Sequence, residues 1–236
     1  MINVHEYESC RNFFSKYCIN LTQEQFNKFR LYEDLLIEES TRQNITAVKE
    51  REAIWVRHFL DSAYLLRFLP ETGVILDIGT GGGIPAIPLA ILRPNLTIKM
   101  IDSERNKIMF CQKVTALLTP NAQAICGRAE ELAHDPVYRE QYDAVVSRAM
   151  ANGSILSELS IPFLKKEGFL IAMKGRQYDP EIERFEPAAE KLGCTVQPVH
   201  SYTICWEDKH LIIVQKTSET PSQYPRRFAK IKRSPL

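Results

Sequence analysis

A chain of 236 residues, 44% hydrophobic and 25% charged, suits one α/β domain with an appendage better than two full domains. No apolar run reaches membrane-span length, and residues 1–8 offer neither a basic region nor an apolar core, so a membrane or secreted protein is not expected. The net charge of +1 excludes a uniformly basic surface, yet residues 220–236 hold Arg226, Arg227, Lys230, Lys232 and Arg233 with no acid, leaving −4 elsewhere (+1 less +5).

Cys10, Cys18, Cys111, Cys126, Cys194 and Cys205 are scattered without a Cys-x-x-Cys pair. Single buried thiols in a reducing cytoplasm are expected, and no zinc site. Residues 1–70 read as a helical cap. Thr22 with Gln25 forms a capping box ahead of Phe26, Phe29, Tyr32 and Leu36, which recur at helical spacing. After a break at residues 43–46, a further helix over 52–68 carries Ile54, Phe59, Ala63 and Leu66, and residues 70–73 connect it to the next segment.

Residues 71–217 then alternate strand and helix patterns. Strands are expected at 74–78, 97–102, 122–126, 142–147 and 169–173, and helices at 104–118, 154–164 and 180–192. Residues 196–202 and 210–215 suit a terminal antiparallel pair. This alternation predicts an open, mostly parallel sheet with helices on both faces.

The densest signal is Asp77-x-Gly79-x-Gly81-x-Gly83, a strand running into a glycine loop, with Pro85 placed to open a helix. A dinucleotide fingerprint fails, because its third glycine position holds Ile84. An acid still on the strand suits a ligand with an ammonium group. Asp102 ends the second strand, where a carboxylate can accept both hydroxyls of a ribose. Loop and acids together resemble the first motif of class I S-adenosylmethionine (SAM) methyltransferases. The alternative is a tight turn with two capping acids.

Ligands in such sheets bind beyond the carboxyl ends of the strands. There, Ala129 and Glu130 either touch an adenine ring or open a helix, Arg148 either faces substrate or makes a surface ion pair, and Lys174 ends the fifth strand. His58 and Asp61 either form a buried polar pair or face the pocket. The motif that serves methylation of exocyclic amines is replaced by Ser147-Arg148-Ala149-Met150, and no Pro-Cys dipeptide exists for attack on a pyrimidine. Guanine N7 needs neither device, since it carries a lone pair and no proton.

Nearly the whole length resembles the RsmG (GidB) family of 16S ribosomal RNA guanine-N7 methyltransferases. The resemblance rests on residues 44–47, Val56-Arg57-His58-Phe59-Leu60-Asp61-Ser62, residues 76–81, Ile87-Pro88-Leu89-Ala90, Asp102-Ser103, Val145-Val146-Ser147-Arg148-Ala149, residues 172–175 and Lys209-His210-Leu211-Ile212. It implies a Rossmann-like sheet of seven strands with an N-terminal helical cap, and SAM as cofactor. SAM contacts are implied at Gly79, Ile84, Ala129, Glu130 and Arg148, with Asp102 at the ribose; His58 and Asp61 are drawn toward the pocket. It implies a substrate in 16S ribosomal RNA, as small subunit or assembly intermediate, with no membrane and no obligate protein partner. Ala86 stands where the family has glycine, and Arg227-Phe228-Ala229-Lys230 replaces a Pro-Gly-rich segment. The other functions in view are a SAM-binding, RNA-interacting protein without turnover and methylation of a small molecule. Residues 218–236 read as a basic tail, without helix or strand period, whose five cations meet phosphates independently of the SAM pocket.

Overall fold

The computed structural model describes residues 2–148, 152–175 and 179–236, with backbone alone over 179–184. Ala149 and Met150 lie outside these. Helices α1 (Tyr7–Ser15) and α2 (Gln23–Ser40) open the chain. The expected capping box is present: Gln25 N–H donates to Thr22 Oγ1 (3.2 Å) while Thr22 N–H donates to Gln25 Oε1 (3.0 Å). Helix α3 spans residues 51–67, but its middle, Trp55–Leu60, is a π-helical turn. Such a turn widens the helix and re-aims side chains, and it commonly marks a functional position. His58 sits in it.

The remainder is β1 (Gly73–Ile78), α4 (Ala86–Leu92), β2 (Leu96–Asp102), α5 (Arg105–Leu118), β3 (Ala122–Cys126), α6 (Ala129–Leu132), β4 (Tyr142–Arg148) and α7 (Gly153–Ser160). It continues through β5 (Leu164–Lys174), α8 (Asp179–Lys191), β6 (Cys194–Val196), β7 (His200–Ile204), β8 (Glu207–Lys216) and α9 (Phe228–Arg233). The sheet runs β3-β2-β1-β4-β5-β8, the first five strands parallel and β8 antiparallel to β5. Both β6 and β7 pair with the same β8 strand, through residues 214–216 and 207–211. Among the described residues the sheet therefore has eight strands in seven positions. Pro198 lies in the gap between β6 and β7, where its missing N–H cannot serve the ladder.

Cap and sheet share one core. Phe29, Trp55 and Phe59 from the cap join Ile75, Ile98 and Leu89 in a single buried cluster. The cap also grips the glycine loop. Tyr32, wholly buried, donates from its hydroxyl to Gly82 O at 2.6 Å, and a Cβ on Gly82 would fall 2.6 Å from Ile45 Cγ2. Tyr32→Phe leaves that carbonyl buried without its partner, so a loss of about 1–3 kcal/mol is expected in chemical denaturation.

Three expectations change. The helix over 154–164 stops at Ser160, and β5 begins at Leu164, earlier than expected. Cys18 and Cys126 are exposed thiols, whereas Cys10, Cys111 and Cys194 are buried. The tail is not without structure: it carries α9, whose Ile231 is fully buried.

Candidate active site

Two clefts open at the carboxyl ends of the parallel strands, on either side of the β1–β4 boundary where strand order reverses. The first, about 190 Å³, is lined by Gly79, Asp102, Gly127, Ala129, Glu130 and Phe228, among others. Gly79, Gly81 and Gly83 have φ of +70°, +57° and +86°, a region that side chains disfavour. A Cβ on Gly81 would meet nothing within 4 Å, so the loop offers bare backbone to the space above it.

Asp102 is held from below: its Oδ2 accepts from Gly81 N–H (3.0 Å) and its Oδ1 from Glu104 N–H (2.9 Å). A carboxylate has about four acceptor positions, so capacity remains for two hydroxyls of a ribose. Ile78, Ile101 and Leu159 add an apolar wall suited to a flat ring. The residues present thus fit the nucleoside half of SAM.

Asp77 lines neither cleft. It is fully buried under the loop, where Oδ2 accepts from Thr80 Oγ1 (2.6 Å) and Ala86 N–H (3.4 Å), and Oδ1 has no partner. Burial above all lifts its pKa to about 7. Folded Asp77 therefore holds its proton over a range where the unfolded carboxyl, near 3.8, has lost it. Relative to Asp77→Asn, the protein should lose about 1.4 kcal/mol per pH unit as pH rises through that range, with no further change above it. Denaturation midpoints across pH check this. Ile84 packs against the cap's core cluster at the exit of the loop rather than in either cleft.

The second cleft, about 220 Å³, brings together His58, Asp61, Arg148, Lys174, Tyr202 and Lys209, with Arg57 at its edge. Arg148 ends β4 and turns its guanidinium onto α3: Nη1 donates to Arg57 O (2.9 Å) and Nη2 to His58 Nδ1 (2.9 Å). A guanidinium cannot accept, so His58 carries its proton on Nε2 and donates it to Thr46 Oγ1 at 2.8 Å. Burial, then the charge of Arg148, pushes the His58 pKa down to about 3, so the ring is neutral at physiological pH. Asp61 is buried and accepts from Tyr202 Oη at 2.8 Å. Burial raises its pKa, with Lys209 and Arg148 opposing. His58 and Asp61 both face the cleft, each engaged by a different partner. Lys174 Nζ lies 5.9 Å from the Phe185 ring centroid.

Four cations stand here against Asp61 and against Glu207, which pairs with Arg57 (2.7 Å) and Lys209 (2.9 Å), so the cleft keeps a positive excess that attracts phosphate. Among the described residues His58 is not a free base, because both of its ring nitrogens are engaged, and Asp61 Oδ1 is held by Tyr202. Arg148 belongs to this second cleft and not to the nucleoside one.

The tail requires a correction. Arg226 is not free for phosphate; it makes a two-pronged pair with Glu158 of α7 (Nε–Oε1 2.7 Å, Nη2–Oε2 2.6 Å), and Glu158 is fully buried. Arg139 donates to the carbonyls of Thr220 and Tyr224, and the His134 ring meets Pro225 O at 2.7 Å. Arg227, Lys230, Lys232 and Arg233 remain exposed. Tail and pocket are not independent, because Phe228 lines the first cleft.

Tyr202, Lys209, Thr46 and Phe228 are the site residues that sequence reading missed. Thr46 and Lys209 fall in segments shared with the family, which was their one visible signal.

A 16S rRNA (adenine(1408)-N(1))-methyltransferase from Catenulisporales acidiphilia has the same fold, at 15% identity and TM-score 0.53, covering 62% of this chain and 86% of that one. M. jannaschii TYW2, solved in complex with AdoMet, matches at 18% identity and TM-score 0.51, covering 66% of this chain and 73% of that one. The fold is that of class I SAM methyltransferases. Ribosomal RNA small subunit methyltransferase G of Thermoanaerobacter sp. (strain X514) is 39% identical over 213 residues, covering 88% of this chain and 89% of that protein. Its namesake in Clostridium novyi (strain NT) is 39% identical over 223 residues, covering 92% of each. The model of the GidB family, rRNA small subunit methyltransferase G, matches residues 25–212. With the loop, the second cleft and most of the cap inside that match, the chain belongs to the rRNA small subunit methyltransferase G family.

Proposed function

We propose that the chain transfers the methyl group of SAM to N7 of a guanine in 16S ribosomal RNA. SAM-dependent methylation of ribosomal RNA is the family's activity; the base and atom are our reading. SAM supplies a methyl group on a cationic sulfur. The N7 lone pair forms the new bond to the methyl carbon, the carbon–sulfur pair returns to sulfur, and no proton leaves. The observation that carries this choice is a cationic cleft whose His58 is neutral and doubly engaged. It can position phosphate and purine, its histidine is not free to take a proton, and N7 has none to give.

In this reading Asp102 holds the ribose, Gly79, Ala129 and Glu130 the adenine side, and Asp77 fastens the loop. Arg148, Lys174 and Lys209 hold the RNA backbone near the reacting base, and Asp61 offsets the positive charge arriving on the purine. Arg227, Lys230, Lys232 and Arg233 meet phosphates farther out. Residues 1–70, 71–217 and 218–236 work as one unit, in the cytoplasm; among the described residues no helix is long and apolar enough to cross a membrane.

Labelled SAM incubated with small ribosomal subunits, with deproteinised 16S RNA and with small-molecule extracts tests this. Label should enter RNA. Label confined to small molecules, or none transferred, overturns the reading. Asp102→Ala should weaken SAM binding by about 1–3 kcal/mol, measured by calorimetry.

A further inference from the structure

Helix α9 combines an anchor in the fold with several exposed cations. Ile231 is fully buried, and Arg226, just ahead of the helix, is paired with buried Glu158. The residue after Glu158 is Leu159, which lines the first cleft beside Phe228. The anchor and the cleft wall are therefore one piece of structure. Arg227 at the start of the helix and Lys230, Lys232 and Arg233 within it are exposed to solvent, with no acid from Thr220 to the end of the chain.

Phe228 itself is 38% exposed, and it is exposed where it lines the cleft. Its neighbours in the cleft are Ile78, Ile101, Leu159 and the edges of Ala129 and Glu130. A flat aromatic ligand there would cover the exposed part of the ring.

We propose that Phe228 is a cofactor-contacting residue which closes the nucleoside cleft over the adenine, and that α9 couples cofactor to RNA. This rests on the SAM reading above. Phosphates bridging the exposed cations of α9 and the cationic second cleft hold the helix against the core, and the same helix holds Phe228 over the ring. Each ligand then favours the arrangement that the other binds, and the coupling is reciprocal. Tail and pocket form one binding device, with Arg226–Glu158 as its hinge pin.

The test measures the affinity of the full chain for S-adenosylhomocysteine, the demethylated product, with and without deproteinised 16S RNA. Wild type should bind it, and about fivefold or more tighter with RNA. Phe228→Ala should bind it about tenfold more weakly and lose most of the RNA effect, while Phe228→Tyr restores both. Arg227→Glu/Lys230→Glu/Arg233→Glu should keep wild-type affinity without RNA and show no gain with it. Equal affinity of wild type and Phe228→Ala, or no RNA effect in wild type, overturns the proposal. Failure of wild type itself to bind the product would instead defeat the SAM reading.

Discussion

Arg148→Ala should lower kcat by about 100-fold while leaving SAM affinity nearly unchanged. The guanidinium lies in the second cleft, 2.9 Å from both Arg57 O and His58 Nδ1 and 4.0 Å from Asp61 Oδ2. It fixes the His58 tautomer, and its charge is poised for phosphate. Loss of one preorganised electrostatic group at a reacting centre costs about 10²–10³ in rate. Arg148→Lys should not restore activity, because one ammonium cannot span the two acceptors that the planar fork joins. Without Arg148 the His58 pKa should also rise, though burial still holds it below the usual range. Single-turnover kinetics and ring-proton NMR report the two effects separately. A fall in SAM affinity equal to the fall in rate would place Arg148 on the cofactor instead.

Arg226→Ala is expected to be among the most destabilising single changes in the chain. Glu158 is fully buried and depends on Arg226 for three hydrogen bonds, at 2.9, 2.7 and 2.6 Å. Two come from the side chain and one from the Arg226 backbone N–H. Removing the side chain strands a buried carboxylate, at a cost of about 3–5 kcal/mol. Arg226→Ala combined with Glu158→Leu should recover much of that loss, since no unpaired charge remains. Urea denaturation of the two variants separates charge from packing. If Arg226→Ala alone changed stability by less than about 1 kcal/mol, the tail would not be an integral part of the fold.

The legible parts of this protein were those written in short-range pattern. The strand–glycine loop, the acid two residues before Gly79, Asp102 at the next strand end, and the capping box at Thr22 each occupy a few consecutive residues. Alternation of β and α periods then fixed the class of sheet. The second cleft was legible only in part. His58, Asp61 and Arg148 stood out, but Tyr202 meets Asp61 across 141 positions of sequence, and no periodicity reports such a contact. The π turn at Trp55–Leu60 escaped because its residues also satisfy an ordinary helical period. The tail was misread for a physical reason. A six-residue helix is too short to show a repeat, and α9 is held by Ile231 and by an ion pair formed 68 residues away. Five clustered bases looked like a solvated run until the fold showed one of them facing inward. The split of the last sheet position between β6 and β7 was equally hidden, although Pro198 and its missing N–H account for it once the pairing is known.

In the proposed reading, the cationic cleft with its engaged histidine, beside a SAM site, serves guanine N7 of 16S ribosomal RNA. The most direct test is nucleoside analysis of that RNA, purified from cells with and without the protein and digested to completion. One N7-methylguanosine should be present with the protein, absent without it, and restored by wild type but not by Arg148→Ala. An unchanged N7-methylguanosine content, with a methylated amine or ring carbon lost in its place, would contradict the account.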